Sequence, residues 1–330
     1  MSKQKILIVR FNSIGDIVLT SPVIRALDEE GYEVHYLSKK SYRSLLLNNP
    51  RVKKHFSFDG DLNEVIELLK AEGYAQVIDL HNNYRSKKVS KALKLPTHVL
   101  KKNPVRLFFM TQFNMASQQQ EHIVDRFMSV VSPLIIKKTK PQVEFYISDE
   151  SKERVNNLNL PEQYITISVG AAFETKQIPI PLMQEIIEKI DLPVVLLGGR
   201  DDITKAKVLK NHSPNGIINL CGDLNIEDSA EVIGGSKVLL SGDTGLMHIA
   251  AALDTNIVAI YGSTHPILGY TPYYNKNNKS IIVENNQLKC RPCTKQGRDT
   301  CPKGHFKCMK DLDSSLIIDK IYSLIYSHES

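Results

Sequence analysis

The sequence predicts an α/β fold in two domains, and three observations predict it. Short β-branched runs alternate with amphipathic segments of helical period along the chain, the pattern of parallel βαβ units. That alternation lapses between about residues 100 and 120 and starts afresh at Tyr164. The chain of 330 residues, 42% of them apolar, is also longer than one compact core usually organises.

The elements follow in order. Lys5–Val9 reads as a buried first strand, Ile17–Glu30 as its helix, Val34–Leu37 as a second strand, Leu62–Glu72 as a helix and Gln76–Leu80 as a third strand. The second set runs through a strand at Tyr164–Val169, a helix at Pro181–Ile190, a strand at Val194–Leu197 and a helix near Ile203–Lys210. It continues with a strand at Val238–Leu240, a helix from about Gly245 and a strand at Ile257–Tyr261. The two sets join near Leu158–Pro161, where Asn, Leu and Pro replace the helical pattern, so the expected domains are 1–158 and 159–330. A last amphipathic segment, Leu312–Tyr326, is expected to be a helix packing back across the domains. There is no short-period repeat and no low-complexity tract.

Charge is unevenly spread. The net charge is +6, and residues 1–150 hold 23 Lys and Arg against 16 Asp and Glu, while 151–330 hold 19 against 20. An anionic partner is therefore expected near the first half. No apolar run is long enough for a spanning helix, and Met1–Lys5 leads into a strand without a signal-peptide profile, which predicts a cytoplasmic protein. Five cysteines, four of them between Cys290 and Cys308, do not make a disulfide scaffold in so long a chain.

Three segments leave a strand and enter a helix, where open α/β sheets place ligands. The first is Arg10-Phe11-Asn12-Ser13-Ile14-Gly15-Asp16. Gly15 lets a backbone or ligand approach closely, and Asp16 is equally suited to cap the helix expected at Ile17. The second is Ser241-Gly242-Asp243-Thr244-Gly245-Leu246-Met247-His248, whose helix start, with the Thr244 hydroxyl beside it, suits a phosphate oxygen. Asp-Thr-Gly also occurs in aspartic proteases, but those need two carboxylates sharing a proton and the triplet occurs once here. The third is Ser168-Val169-Gly170-Ala171-Ala172-Phe173-Glu174-Thr175-Lys176, a small-residue loop that can bring Lys176 onto a phosphate. It lacks P-loop spacing, and no Gly-x-Gly-x-x-Gly follows the first strand.

Cys290-x2-Cys293-x7-Cys301-x6-Cys308, with His305 inside it, is compatible with a tetrahedral structural zinc site or with reduced, packed thiols. Asp59-Gly60-Asp61 and Asp311-Leu312-Asp313 precede helices and read as caps; Asp61 with Glu64 has the capping-box pattern.

In order and content these segments resemble glycosyltransferase family 9, the family of the lipopolysaccharide heptosyltransferases. The Lys5-to-Pro22 opening, with Ser13-Ile14-Gly15-Asp16, resembles the family's start. The stretch Asp243 to Leu253, followed by Tyr261-Gly262-Ser263-Thr264-x-Pro266, resembles its nucleotide-site signature, and the Cys-rich tail is similar to one seen in many members. The resemblance implies a GT-B fold, with two Rossmann-like domains facing a central cleft, acceptor on the first and nucleotide sugar on the second.

It also implies roles. Asp16 matches the general base, Lys176 the diphosphate-contacting lysine, and Thr244 and Gly245 the phosphate cradle, with Asp243 and His248 in the same signature. Asp202, after Gly198-Gly199, falls near an acidic residue that holds the ribose in relatives, and Ile178 stands where members have Trp. Ser13, Gly15 and Arg85 are expected on the acceptor side, Arg85 within a stretch from His81 to Arg106 that holds no acidic residue.

The expected reaction is an inverting, metal-independent transfer of a sugar, heptose from ADP-heptose by resemblance, to a lipopolysaccharide core or related glycan. No cofactor is required on that scheme. The expected partners are a nucleotide diphosphate sugar and an anionic lipid-linked oligosaccharide, with peripheral contact at the inner membrane surface. Two other readings stand beside it. One is a nucleotide-sugar epimerase on the same fold; the other is a non-enzymatic nucleic-acid binder, against which the absence of Trp weighs.

Overall fold

The computed structural model describes residues 3–112, 120–137, 140–209, 216–273 and 279–326. Its elements are β1 (Lys5–Val9), α1 (Ile14–Val18), α2 (Ser21–Glu29), β2 (Glu33–Lys39), β3 (Val52–Phe58), α3 (Asn63–Lys70), β4 (Gln76–Asp79), α4 (Tyr84–Leu93) and β5 (Thr97–Val99). There follow α5 (Pro104–Gln112), α6 (Ile123–Val131), α7 (Asp149–Asn156), β6 (Ile165–Ser168), α8 (Ile180–Glu188), β7 (Val194–Leu197), α9 (Ile203–Leu209) and β8 (Ile217–Asn219). The chain ends through α10 (Ile226–Gly234), β9 (Leu239–Gly242), α11 (Gly245–Ala252), β10 (Ile257–Tyr261), β11 (Ser280–Glu284), α12 (Lys307–Lys310) and α13 (Ser314–Tyr326).

Two compact units form, one of residues 1–103 and 121–146, the other of 104–120 and 147–330. Each is built on a parallel sheet, ordered β3-β2-β1-β4-β5 in the first and β11-β10-β9-β6-β7-β8 in the second. In both, the unit's first strand is central and the winding reverses beside it, between β1 and β4 and between β6 and β9. Loops at the carboxyl ends of those four strands are the places where such sheets bind ligands.

The second unit's inner strands, β6, β7, β9 and β10, are buried on both faces, as parallel strands under two helical layers must be. Ile165, Ile167, Leu240, Val258 and Ile260 pack toward α8 and α13, and Val195, Leu197, Leu239, Ile257 and Ala259 pack toward α10 and α11. In the first unit Leu7, Val9, Leu37 and Val77 meet Val65, Ile66 and Leu69 of α3. The terminal helix begins at Ser314, two residues after its expected start, and lies against α8 and β10 of the second unit.

Three expectations change. The helix expected over Ile17–Glu30 is two helices, because the Thr20 and Ser21 hydroxyls donate to the carbonyls of Ile17 and Val18, both at 2.7 Å, and Pro22 has no N–H to continue the ladder. The main segment of the second unit begins at Ile147, ahead of the expected boundary at Leu158. The reason is α7, which docks on α10 through Ser148 Oγ donating to Glu227 Oε2 at 2.9 Å and Arg154 Nη2 pairing with Asp228 Oδ1 at 2.8 Å. Where the periodicity lapsed, Pro104–Gln112 is helical. Of the two Asp-x-Asp triplets, Asp313 Oδ1 accepts from the N–H of Ser315 in the first turn of α13. Asp61, whose Oδ1 accepts from the N–H of Leu62 and Asn63, stands one residue ahead of the N-cap of α3, Leu62, so the capping box expected with Glu64 is not the cap. Among the described residues no helix is long and apolar enough to cross a membrane.

Candidate active site

In the first unit the site grows from the end of β1. The chain turns after Val9, and α1 starts at Ile14 with Ser13, not Asp16, as its N-cap; Asp16 is the third helical residue and reaches back to the Ser13 N–H as in a capping box. Its carboxylate faces back over the turn. Oδ2 lies 2.6 Å from Arg10 Nη2 and accepts from Ser13 Oγ at 3.1 Å and from the Ser13 N–H at 3.4 Å. Burial pushes the Asp16 carboxyl up, but the Arg10 guanidinium and the Ser13 bonds more than offset this and hold it below the usual carboxylate range. Asp16 Oδ1 is buried and has no hydrogen-bond partner among the described residues. Gly15 is buried beneath this turn.

Across the switch point, β4 ends in Asp79, whose Oδ1 accepts from the N–H groups of His81 and Asn82 while Oδ2 accepts from Ser86 Oγ at 2.8 Å. His81 lies at a tilt against Phe11 with ring centroids 4.9 Å apart, and burial, with Arg10 and Lys102 nearby, pushes its imidazole down to about 3. Arg85 opens α4 at the same edge. Its guanidinium lies 4.9 Å from the centre of the Phe58 ring and donates to Gly60 O, so the β3–α3 loop orients it.

In the second unit the loop after β6 ends in a 3-10 turn, Glu174–Lys176, and α11 starts after β9 with Thr244 as N-cap. These two loops bring Lys176 and Asp243 together, with Nζ 2.9 Å from Oδ2. Thr244 Oγ1 sits 2.9 Å from Ser241 Oγ and accepts from the Met247 N–H at 3.4 Å. Gly245 and Leu246 open the helix, and their N–H groups have no carbonyl a turn earlier to bond. The capped-helix and phosphate-cradle readings therefore describe one arrangement: a lysine and a helix N-terminus at the mouth of the switch point. His248 is buried in the first turn of α11.

Asp202 lies one strand over, just past β7, the second strand of its unit, where dinucleotide folds place the acid that binds ribose. Its Oδ2 accepts from the Gly199 N–H at 2.8 Å. A Cβ on Gly170 would stand 2.0 Å from that oxygen, so the carboxylate rests on the bare backbone leaving β6.

The Cys-rich segment serves this loop. Thr175 Oγ1 donates to Arg298 O at 2.9 Å and accepts from the Arg298 N–H and Ser263 Oγ, both at 2.8 Å. Buried Arg291 ties Tyr261 O at 2.8 Å, Thr264 O at 3.0 Å and Glu284 Oε2 at 2.9 Å. Of the two readings of the cysteines, the placement of the side chains matches reduced, packed thiols: among the described residues no three His, Cys, Asp or Glu side chains are placed to hold a metal ion. Cys308 faces the apolar core from α12, and Cys293 Sγ points to Ser263 O at 3.6 Å. All five cysteines are unbridged.

Two contributors were not singled out in the sequence, Arg10 and Thr175. Arg10 also ties the remote Leu80 carbonyl and left only a charge six residues ahead of Asp16 as a signal, while the partners of Thr175, Arg298 and Ser263, are remote and left none.

The sequence profile of glycosyltransferase family 9 (heptosyltransferase) matches residues 63–300. Lipooligosaccharide heptosyltransferase 2 of Campylobacter jejuni is 24% identical over 338 residues, covering 94% of this chain and 95% of that one. A family 9 glycosyltransferase from Veillonella parvula superposes with a TM-score of 0.80 at 19% identity over 99% of both chains. The ADP-heptose lipopolysaccharide heptosyltransferase II of Escherichia coli superposes at 0.76 with 17% identity over 99% of this chain and 100% of that one. With GT-B heptosyltransferases as its structural neighbours and the family profile matching from α3 of the first unit through the second sheet, the chain belongs to glycosyltransferase family 9 and is a glycosyltransferase.

Proposed function

We propose that this enzyme transfers heptose from ADP-heptose to a lipopolysaccharide or lipooligosaccharide core, inverting the anomeric centre. The observation that carries the reading is the pairing of Lys176 with Asp243 at the start of α11, because a nucleoside diphosphate leaving group needs a fixed cation and free N–H donors there. The relatives' names supply sugar and acceptor.

Asp16 is the general base for the acceptor hydroxyl, which attacks the anomeric carbon opposite the diphosphate. Lys176, the Thr244 hydroxyl and the N–H of Gly245 take up the charge on the leaving diphosphate, and His248 backs that helix turn. Asp202 accepts from the ribose hydroxyls. Ser13, Gly15 and Arg85 shape the acceptor side, with Arg85 on an acceptor phosphate or carboxylate. On this reading no metal takes part in the step. The enzyme works in the cytoplasm, at the inner membrane surface where the lipid-linked acceptor is held.

The test is incubation with ADP-heptose and a heptose-deficient core acceptor. The expected product is the acceptor enlarged by one heptose of inverted configuration, with ADP released in equal amount. Conversion of the sugar nucleotide without acceptor would replace this reading with an epimerase.

A further inference from the structure

Arg10 is 8% exposed, and all of its nitrogens are committed. Nε donates to Asn12 O at 2.8 Å, Nη1 to Leu80 O at 2.7 Å, and Nη2 lies 2.6 Å from Asp16 Oδ2. The Phe127 ring of α6 lies 5.6 Å from the guanidinium carbon. One side chain thus joins the ends of β1 and β4, the two strands of the switch point, to one oxygen of one carboxylate. Ser13 binds that same oxygen through its N–H and hydroxyl. The other oxygen, Oδ1, is buried and unpartnered among the described residues. A buried acceptor left so is costly, and a hydroxyl delivered to it removes the cost.

We propose that Arg10 is a positioning residue for the transfer, fixing Asp16 through Oδ2 so that Oδ1 alone receives the proton of the acceptor hydroxyl. This rests on Asp16 being the base. In the step, the hydroxyl oxygen bonds to the anomeric carbon and its proton passes to Oδ1. The bond from that carbon to the diphosphate oxygen breaks, and its electron pair leaves with the nucleoside diphosphate. Asp16 then gives the proton to water.

The groups facing Asp16 make its ionisation readable. Besides Arg10 they are Tyr36 on β2, whose hydroxyl lies 3.0 Å from Thr20 Oγ1, and His81 after β4, with Lys102 and Lys39 beyond it. Burial pushes Tyr36 up, and burial with Arg10 pushes His81 down to about 3, so neither changes charge near neutrality. Without Arg10, burial would be opposed by the Ser13 bonds alone, and the base would protonate at higher pH.

The test compares Arg10→Met and Arg10→Lys with Asp16→Asn, measuring kcat, acceptor KM and the pH profile, with ADP affinity by calorimetry as the readout of an intact second unit. Arg10→Met is expected to lower kcat about 100-fold, the scale of a misplaced catalytic group. Its acid limb should rise by roughly one pH unit or more as the charge is lost, with ADP affinity unchanged. Arg10→Lys keeps the charge but not the strap, so its acid limb stays in place, its ADP affinity is unchanged and its kcat lies between those of Arg10→Met and the wild type. A wild-type acid limb in Arg10→Met, or wild-type kcat in Arg10→Lys, overturns the proposal; if Arg10→Met does not fold, the lysine variant decides alone. Full activity in Asp16→Asn would instead remove the base itself.

Discussion

A side chain at Gly242 would put its Cβ 2.3 Å from the carbonyl oxygen of Lys176. The close approach of these two backbones is what sets Lys176 Nζ against Asp243, the neighbour of Gly242. Gly242→Ala is therefore expected to displace the 174–176 turn, destabilising the fold by about 1–3 kcal/mol as overpacking does. It should also weaken ADP binding. Calorimetric titration and thermal melts check both, and wild-type values in both would show that the turn yields freely.

Lys176→Ala and Thr244→Ala should each weaken ADP binding by about 1–3 kcal/mol, the range for losing a hydrogen bond to a charged group. On the proposed mechanism, in which protein groups take up the diphosphate charge, EDTA should leave the initial transfer rate unchanged. A rate restored only by added Mg²⁺ would remove the metal-free step.

Asp202 separates ribose recognition from loop support. Asp202→Asn keeps an acceptor for the Gly199 N–H but loses the charge, so ADP affinity should fall about tenfold, or ~1.4 kcal/mol. Binding of 2′,3′-dideoxy-ADP should be nearly unaffected. An equal loss with both nucleotides would make the residue a support for the loop only.

Arg85→Ala should raise the acceptor KM about tenfold, or ~1.4 kcal/mol, with little change in the donor KM. Added salt should reproduce part of this by screening the neighbouring lysines of α4. Equal effects on both substrates would show that Arg85 acts by holding the Gly60 loop.

His81 and His55 set an acid limit on stability. Burial pushes them down to about 3 and about 4, so both are neutral in the fold and gain protons on unfolding once the pH drops below their ordinary value of 6.5. The unfolded state then binds more protons, and stability falls with pH from there until the folded-state values are reached. His81→Gln should flatten that slope in urea titrations across this window. An unchanged slope would show that His81 titrates normally in the fold.

Much of the fold was legible because core strands announce themselves. The boundaries of β1, β7 and β10 are those read from their apolar runs, since strands covered on both faces carry few polar residues. The strands missed, β3, β5, β8 and β11, all lie at or toward sheet edges, where one side faces water and the apolar signal thins. β3 begins Val52-Lys53-Lys54-His55, and β8 is a three-residue strand of which every residue stays partly exposed. The α1–α2 break was hidden because hydroxyl bonds, not a loss of periodicity, end α1.

By itself the sequence determined the parallel α/β plan, the strand-to-helix loops that carry Asp16, Lys176 and Asp243, and the family to which these loops belong. Those are properties of local pattern: period, turn residues and short motifs. Only the tertiary structure decided which side chains meet. The winding order that sets β1 beside β4 and β6 beside β9 brings Arg10 to Leu80, and Lys176 to Asp243. It also buries Cys308 in the core and leaves Asp16 Oδ1 unpartnered among the described residues. Such contacts depend on strand order and on glycines that let backbones touch, and neither is encoded within a single stretch of chain.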